Sequence, residues 1–551
     1  MFCKAIRPQA ILLALLFPLQ AQEKVDLDII HRIKTEAIDN SKVMETLSDL
    51  SDVHGGRLTG SPEYRKAAEW AKKRLEGFGA QNVHFEAWGP FGRSWSVREH
   101  SLEMMEPAYA RLTAAPLAWA ASSEGPVTAE VIHAPLDDPW QAMNPTLYQE
   151  ALDKFRKEWT GKLRGKIVLI SRVKNLSDAT NPAFTRYTDA ELAELASAPT
   201  PMAKMVIDPA HFVVPENPEE RKQFLSNLPD PLLNAIYDQL DAIDAQRNQF
   251  LKAEGAVAVI VTDAHSRTGN ICAMYAGPWQ AKVPLAPPMF AVTQEEYGRM
   301  VRLLEKKLAV RVRVNLKVEA GEKDVDGFNV IGEIPGAKKT DEVVMIGGHF
   351  DSFHAGTGAT DNGAGSAVMM EVIRILKTLN LKMERTVRIG LWDGEEQGLF
   401  GSLGYTKAHF GDPKTMKLSK EHGKLSGYFN FDNGSGKIRG VYLQGNDAMR
   451  PVFAAWLEPF ADMGARTITL RNIGSTDHVS FDALGLPSFQ FIQDELDYTS
   501  TTHHTTMDTY EHCRPEDLMQ ASAIIASIVY HAANRPELLP RKVLPKPMGK
   551  P

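Results

Sequence analysis

Glu342-Val343-Val344-Met345-Ile346-Gly347-Gly348-His349-Phe350-Asp351 decides the fold. The first six residues read as a buried strand, and an imidazole and a carboxylate follow where it ends. The same arrangement recurs downstream. Arg385-Thr386-Val387-Arg388-Ile389-Gly390-Leu391-Trp392 leads to Glu395-Glu396, and Tyr428-Phe429-Asn430-Phe431 leads to Asp432. Leu486-Pro487-Ser488-Phe489-Gln490-Phe491-Ile492 runs towards a loop with His503-His504. A helix is expected after Asp361, where Val368, Met369, Val372, Ile375, Leu376 and Leu379 fall at helical spacing. Strands alternating with helices predict an α/β fold with a mixed, mostly parallel central sheet flanked by helices. Ligands of such sheets bind beyond the carboxyl ends of the strands, which is where these acids and histidines gather.

That mixture of side chains suits a hydrolytic zinc centre. Imidazole holds zinc well, and a carboxylate adds charge and can bridge two ions. Two histidines and three acids suffice for two ions, leaving one acid as a proton carrier. Each piece has a plainer reading by itself. His-x-Asp after a strand is usually a surface turn, Glu-Glu a solvated helix start, and Asp-Asn-Gly a common turn. Five ligand-type residues at successive strand ends are hard to explain that way. Asp477 and His478 fit a loop cap or a supporting role, and Asp508 fits an anchor for the histidine loop.

The chain has 551 residues, more than one core usually organises, so two domains are expected. Its 43% hydrophobic and 24% charged residues are ordinary for a globular protein. Lys4 and Arg7 precede the apolar run Ile11–Phe17, and Ala21 offers a cleavage point, so residues 1–21 read as a secretory signal peptide. Its loss takes two positive charges and no negative ones, moving the net charge from −7 to −9. An exported, periplasmic or secreted enzyme with no membrane span after processing is expected. An acidic chain without a basic stripe is a poor nucleic-acid binder. Cys272 and Cys513 could pair or stay reduced, and the absence of Cys-x-x-Cys spacing argues against thiolate-held zinc.

Ser61-Pro62 marks a helix start, with Tyr64, Ala67, Ala68, Ala71, Leu75 and Phe78 as the buried stripe. Residues 126–300 change character, with short strands at 129–132, 166–170 and 256–261 and no believable metal cluster. They read as an insertion, with a largely helical stretch over about 175–250. The catalytic domain is therefore expected to be discontinuous, at 22–125 and 301–540, with a flexible basic tail over 541–551.

Gly348–Asp351, Ala359-Thr360-Asp361-Asn362-Gly363-Ala364-Gly365, Glu395-Glu396-Gln397-Gly398-Leu399, Asp432 and His504-Thr505-Thr506-Met507-Asp508-Thr509 resemble a known family. It is the co-catalytic dizinc exopeptidases of the secreted aminopeptidase and glutamate carboxypeptidase type, peptidase family M28. Gly56–Ser61 and Gly474-Ser475-Thr476-Asp477 are similar to its plasma glutamate carboxypeptidase branch, and residues 126–300 look like its inserted, β-rich protease-associated domain. The resemblance implies that His349 and Asp432 hold one zinc, Glu396 and His504 the other, and that Asp361 bridges them. Glu395 would be the general base, and Asp351, grouped with it as catalytic, would hydrogen-bond the far nitrogen of His349. The His-Thr-x-x-Asp-Thr register favours His504 over His503. Asp393-Gly394 depart from the family's usual small or apolar residues.

The activity implied is removal of terminal residues from peptides, with peptide substrates and a homodimer left open. Rivals are a glutaminyl cyclase-like acyl transferase with one zinc, a non-catalytic receptor-like module on the same fold, and the other large dizinc exopeptidase and deacylase family. Polarity is open at this point. Arg439 and Lys437 could hold a substrate carboxylate, and Asp494 and Glu495 an ammonium group. The insertion is expected to roof the zinc cleft.

Overall fold

The computed structural model describes residues 23–136, 143–173, 182–201, 224, 230–263 and 269–547. The expected signal peptide at 1–21 lies outside the described residues, as do parts of 175–250 and the last residues of the tail. Among the described residues no helix is long and apolar enough to cross a membrane.

The strands of the main sheet are β1 (Gln81–Glu106), β2 (Ala110–Arg111), β3 (Ala114–Pro116), β4 (Val127–His133), β5 (Lys166–Leu169), β6 (Ala258–Val261) and β7 (Met289–Val292). They continue as β8 (Arg311–Ile334), β9 (Lys339–His349), β10 (Arg385–Trp392), β11 (Leu425–Asn430), β12 (Ile438–Tyr442), β13 (Thr467–Thr469) and β14 (Ser488–Gln493). Their order is β13-β12-β14-β11-β9-β10-β8-β4-β5-β6-β7-β3, with β1 paired to β8 and β2 to β1. β14, β11, β9 and β10 are adjacent and parallel, so their carboxyl ends share one edge. β8 runs antiparallel to β1 along its length, and also to β4 near its amino end and to β10 near its carboxyl end.

Two separate cores follow from this layout. One lies under β8–β11 and β14 and takes in Val344, Ile346, Phe429, Phe489 and helix Ala364–Thr378. That helix is buried on every side through Leu376, because helix Pro515–Asn534 covers the face turned away from the sheet. Its polar members are matched inside the protein. Arg374 donates to Glu371 through Nε and Nη2, both at 2.8 Å, and to Glu36 at 2.6 Å. Glu371 also accepts from the Lys42 amide at 3.0 Å. Helix Pro62–Gly77 starts as its sequence demands, with the Ser61 hydroxyl accepting from the Tyr64 amide and Tyr64, Ala67, Ala68, Ala71 and Leu75 turned inward.

The second core gathers Leu102, Met104, Val131, Ile167, Val259, Phe290 and Val312–Leu316, so its apolar content begins before residue 126 and runs past 300. Its strands β4-β5-β6-β7 are short and parallel and carry substantial helices, Pro145–Trp159 and Gln294–Glu305 among them. Within 175–250 the described helices are Asp189–Ala196 and most of Asp230–Ala253. β1 and β8 pair from Gln81↔Glu333 to Glu106↔Arg311 and form one continuous ribbon shared by both cores. The chain before the tail expected over 541–551, and the first residues of that tail, dock on the domain. Leu539 is buried, Arg541 donates to the His422 and Leu425 carbonyls, and Lys542 pairs with Asp482. These partners satisfy backbone carbonyls that would otherwise be orphaned.

Candidate metal centre

His349 closes β9 and is buried; its Nε2 lies 3.2 Å from Asp361 and 3.4 Å from Asp432. Asp361 stands in the turn before helix Ala364–Thr378, and Asp432 follows β11. Asn362 joins the two turns. Its Nδ2 donates to the Phe431 carbonyl at 2.9 Å, and its Oδ1 accepts from the Gly365 amide at 2.9 Å. Gly365 must be glycine, since a Cβ there would lie 2.2 Å from the Phe431 carbonyl oxygen. The small-residue run around Asp361 thus lets two acidic turns meet.

On the other side, His504 Nε2 lies 3.0 Å from Glu396 and 3.4 Å from the second oxygen of Asp361. His503 stacks on the His504 ring at 3.7 Å, but its Nε2 is 3.9 Å from Asp361 and its side chain is 42% exposed. His504 is therefore the deeper of the two. Two groups, His349–Asp361–Asp432 and Asp361–His503–His504, each bring their ligand atoms within 4.8 Å of one another. Asp361 belongs to both.

Carboxyl groups outnumber imidazoles at this edge. Burial raises the carboxyl of Glu395, and Asp432, Asp477 and Glu396 add to it while His349 opposes. Burial likewise raises Glu396, with Asp361, Asp351 and Asp432 adding. Burial opposes ionisation at Asp361 too, but His349, His504 and His503 outweigh it and hold that carboxyl below its ordinary range. Among the described residues, Asp361 Oδ2 and Glu396 Oε1 are buried with no hydrogen-bond partner. Buried carboxylate oxygens are rarely left so unless something else takes them. The donor set fits metal ions.

Asp351 departs from expectation. His349 Nδ1 faces its backbone carbonyl at 3.0 Å, while the carboxylate oxygen is 3.6 Å away. The carboxylate instead accepts from the amides of Glu395 at 3.2 Å and Glu396 at 3.3 Å and from the Thr59 hydroxyl at 3.0 Å. Backbone amides at the open start of the Glu395-Glu396 turn are fixed donors, and they claim the carboxylate. Asp351 therefore positions the Glu pair. Asp508 anchors as expected, accepting from the Thr360 amide at 2.6 Å and hydroxyl at 2.8 Å. Asp477 makes no capping hydrogen bond; it is fully buried, and burial pushes its carboxyl up to about 8.

Sequence reading missed Arg57 and Thr59. Arg57 is fully buried and donates to the carbonyls of Gly55, Phe350, Thr357 and Gly358, pinning the loop beyond β9. Gly56–Ser61 stands out in the sequence only as a motif; nothing local in it announces contacts almost 300 residues away. Two of the polarity candidates are spent elsewhere. Asp494 is buried and paired with Arg439 at 3.0 Å and Arg186 at 2.8 Å. No disulfide joins Cys272 and Cys513, which are both buried.

Four strand ends, one shared aspartate and the Glu pair now meet at one edge. Residues 329–529 match the model of peptidase family M28, here called the M28 domain. Along its length the chain is similar to carboxypeptidase Q of Bos taurus, 26% identical over 502 residues that make up 90% of this chain and 86% of that protein. In fold it is similar to a peptidase M28 precursor from Shewanella amazonensis, with TM-score 0.63 and 23% identity over 94% of this chain and 98% of the other. A zinc aminopeptidase from Bacillus subtilis is similar at TM-score 0.51 and 20% identity, over 90% and 95%. The M28 domain holds all the candidate ligands, from His349 to His504, and the second core lies outside it.

Proposed function

We propose that this metallo-exopeptidase removes terminal residues from short peptides with two zinc ions. The observation that carries the reading is Asp361, whose two oxygens face two different ligand groups. His349 and Asp432 would hold one ion, Glu396 and His504 the other, and Asp361 both. Zinc bound there would acidify a water and polarise the scissile carbonyl. Glu395, outside that ligand set, would take the water's proton and deliver it to the leaving amine, the role that the family resemblance implies. Asp351 and Thr59 hold the backbone that presents Glu395.

The second unit, read as a protease-associated domain, walls the cleft. Supporting this, Tyr275 of that unit stacks with Phe353 at 6.3 Å, and Phe353 meets the His504 ring at 4.7 Å. A wall there admits chain ends and short peptides. Export after loss of residues 1–21 completes the reading.

The test is digestion of one peptide in free, amino-blocked and carboxyl-blocked forms, with a chelator control. Chelation should abolish cleavage, and one of the two blocks should do the same, naming the recognised end. Cleavage that survives both blocks, or internal cutting of a long folded substrate as fast as a dipeptide, would overturn the reading.

A further inference from the structure

The loop that carries His503 and His504 is held along its outer side by two segments of the second unit. From Asp494 onward, Asp494 accepts from the Tyr187 amide at 3.0 Å and Arg186 at 2.8 Å, and Thr185 bridges Leu496 with a 2.7 Å hydrogen bond. Ser500 donates to the Ala183 carbonyl. Further on, Asn270 donates to the Thr501 carbonyl at 3.1 Å, Ala273 to the His504 carbonyl at 3.3 Å, and the Thr506 amide to Ile271 at 2.9 Å. Cys272 and Thr505 form an antiparallel bridge between these last contacts.

The inner side of the loop is pressed against the M28 domain. A Cβ on Gly356 would lie 2.6 Å from the Thr505 carbonyl oxygen. His504 itself has φ of 59°, in the left-handed region. A non-glycine residue keeps that conformation only where its surroundings fix it, and the bond from Ala273 fixes the carbonyl beside that torsion. Charge ties the other end down. Arg186 also pairs with Asp517 at 2.7 Å, so one side chain of the second unit serves two buried acids of the M28 domain. Withdrawing it would leave buried negative charge short of a partner.

We propose that residues 183–187 and 270–273 form a two-point clamp that keeps the His503–His504 loop in its metal-binding conformation, with Arg186 as a positioning residue. The clamp rests on the two-ion reading above and extends it. Opening it weakens the site built on Glu396 and His504, while the site built on His349 and Asp432, held by β9 and β11, keeps its affinity. The second unit then acts on metal loading as well as on access.

The experiment is competitive zinc titration of the full chain against chelators of graded strength, on wild type, Arg186→Ala, Arg186→Lys and Asn270→Ala, with circular dichroism as the fold control. Wild type should hold two ions. Arg186→Ala and Asn270→Ala should weaken one of them about 10–100-fold, the range for residues that orient a ligand without touching metal, and leave the other unchanged. Arg186→Lys should recover part of the loss. Asn270→Ala removes a neutral side chain that donates to the Thr501 carbonyl, so it decides the matter should Arg186→Ala fail to fold. Two ions held as tightly in both alanine variants as in wild type would overturn the clamp alone. A single ion in wild type would overturn the two-ion reading and the clamp with it.

Discussion

Helix Ala364–Thr378 has a buried charge cluster along its body and another at its start, and they obey opposite rules. Along the body, Arg374 faces Glu36 and Glu371 with bonds of 2.6–2.8 Å, and neighbouring amides and hydroxyls take further carboxylate positions. At the start, Asp361, Glu395, Glu396 and Asp432 crowd around His349 and His504, and two of their buried oxygens accept no hydrogen bond among the described residues. The first cluster is closed by the protein's own side chains. The second is built to be closed from outside. Buried charge alone therefore marks nothing; buried charge left incomplete marks a binding site.

Four substitutions break or sharpen that contrast. Glu395→Gln should leave both ions bound yet lower kcat by about 10²–10⁴, as expected for loss of a general base; steady-state kinetics beside elemental analysis would show it. Near-normal turnover would remove Glu395 from that role. Arg374→Ala should cost about 3–5 kcal/mol in denaturant unfolding, since it strands Glu36 and Glu371, while folded protein keeps its wild-type zinc content. Lost zinc in that variant would join the two clusters and erase the distinction. Glu396→Gln should bind one ion fewer under mild chelation without loss of fold, because it removes a ligand charge. Thr59→Val should have the smallest effect, about tenfold in kcat with both ions present, since it loosens Asp351 and only through it the Glu pair.

Much of the M28 domain could be read in advance because its signals are local. β9, β10, β11 and β14 are apolar runs that end on acids or histidines, and the helix after Asp361 keeps its 3.6-residue period. The candidate ligands stood out because acids and histidines are rare at successive strand ends. What stayed hidden was pairing over long distances. Thr59 with Asp351, Arg186 with Asp494 and Asn270 with Thr501 carry no periodicity and no motif. β1 was hidden for a different reason. Gly89, Pro90 and repeated register shifts interrupt the alternation by which a strand is recognised. Nor does the sequence show that two backbone amides and a hydroxyl take the carboxylate of Asp351, which lies 3.6 Å from His349.

The ribbon of β1 and β8 has a consequence for the order in which the chain folds. Its partners are separated by the whole second unit, so pairing them from an open coil means closing a loop of some two hundred residues, with the entropy cost that sets slow folding rates. The second core offers a route in shorter steps, because β4, β5, β6 and β7 pair in chain order and β8, soon after β7, can then join β4 through Arg311–Val314 before β1 arrives. The guest should therefore fold ahead of its host. Pulse-labelled hydrogen exchange during refolding should protect the amides of Val127–His133 and Val312–Leu316 before those of β9 and β11, leaving the metal edge as the last part of the molecule to form.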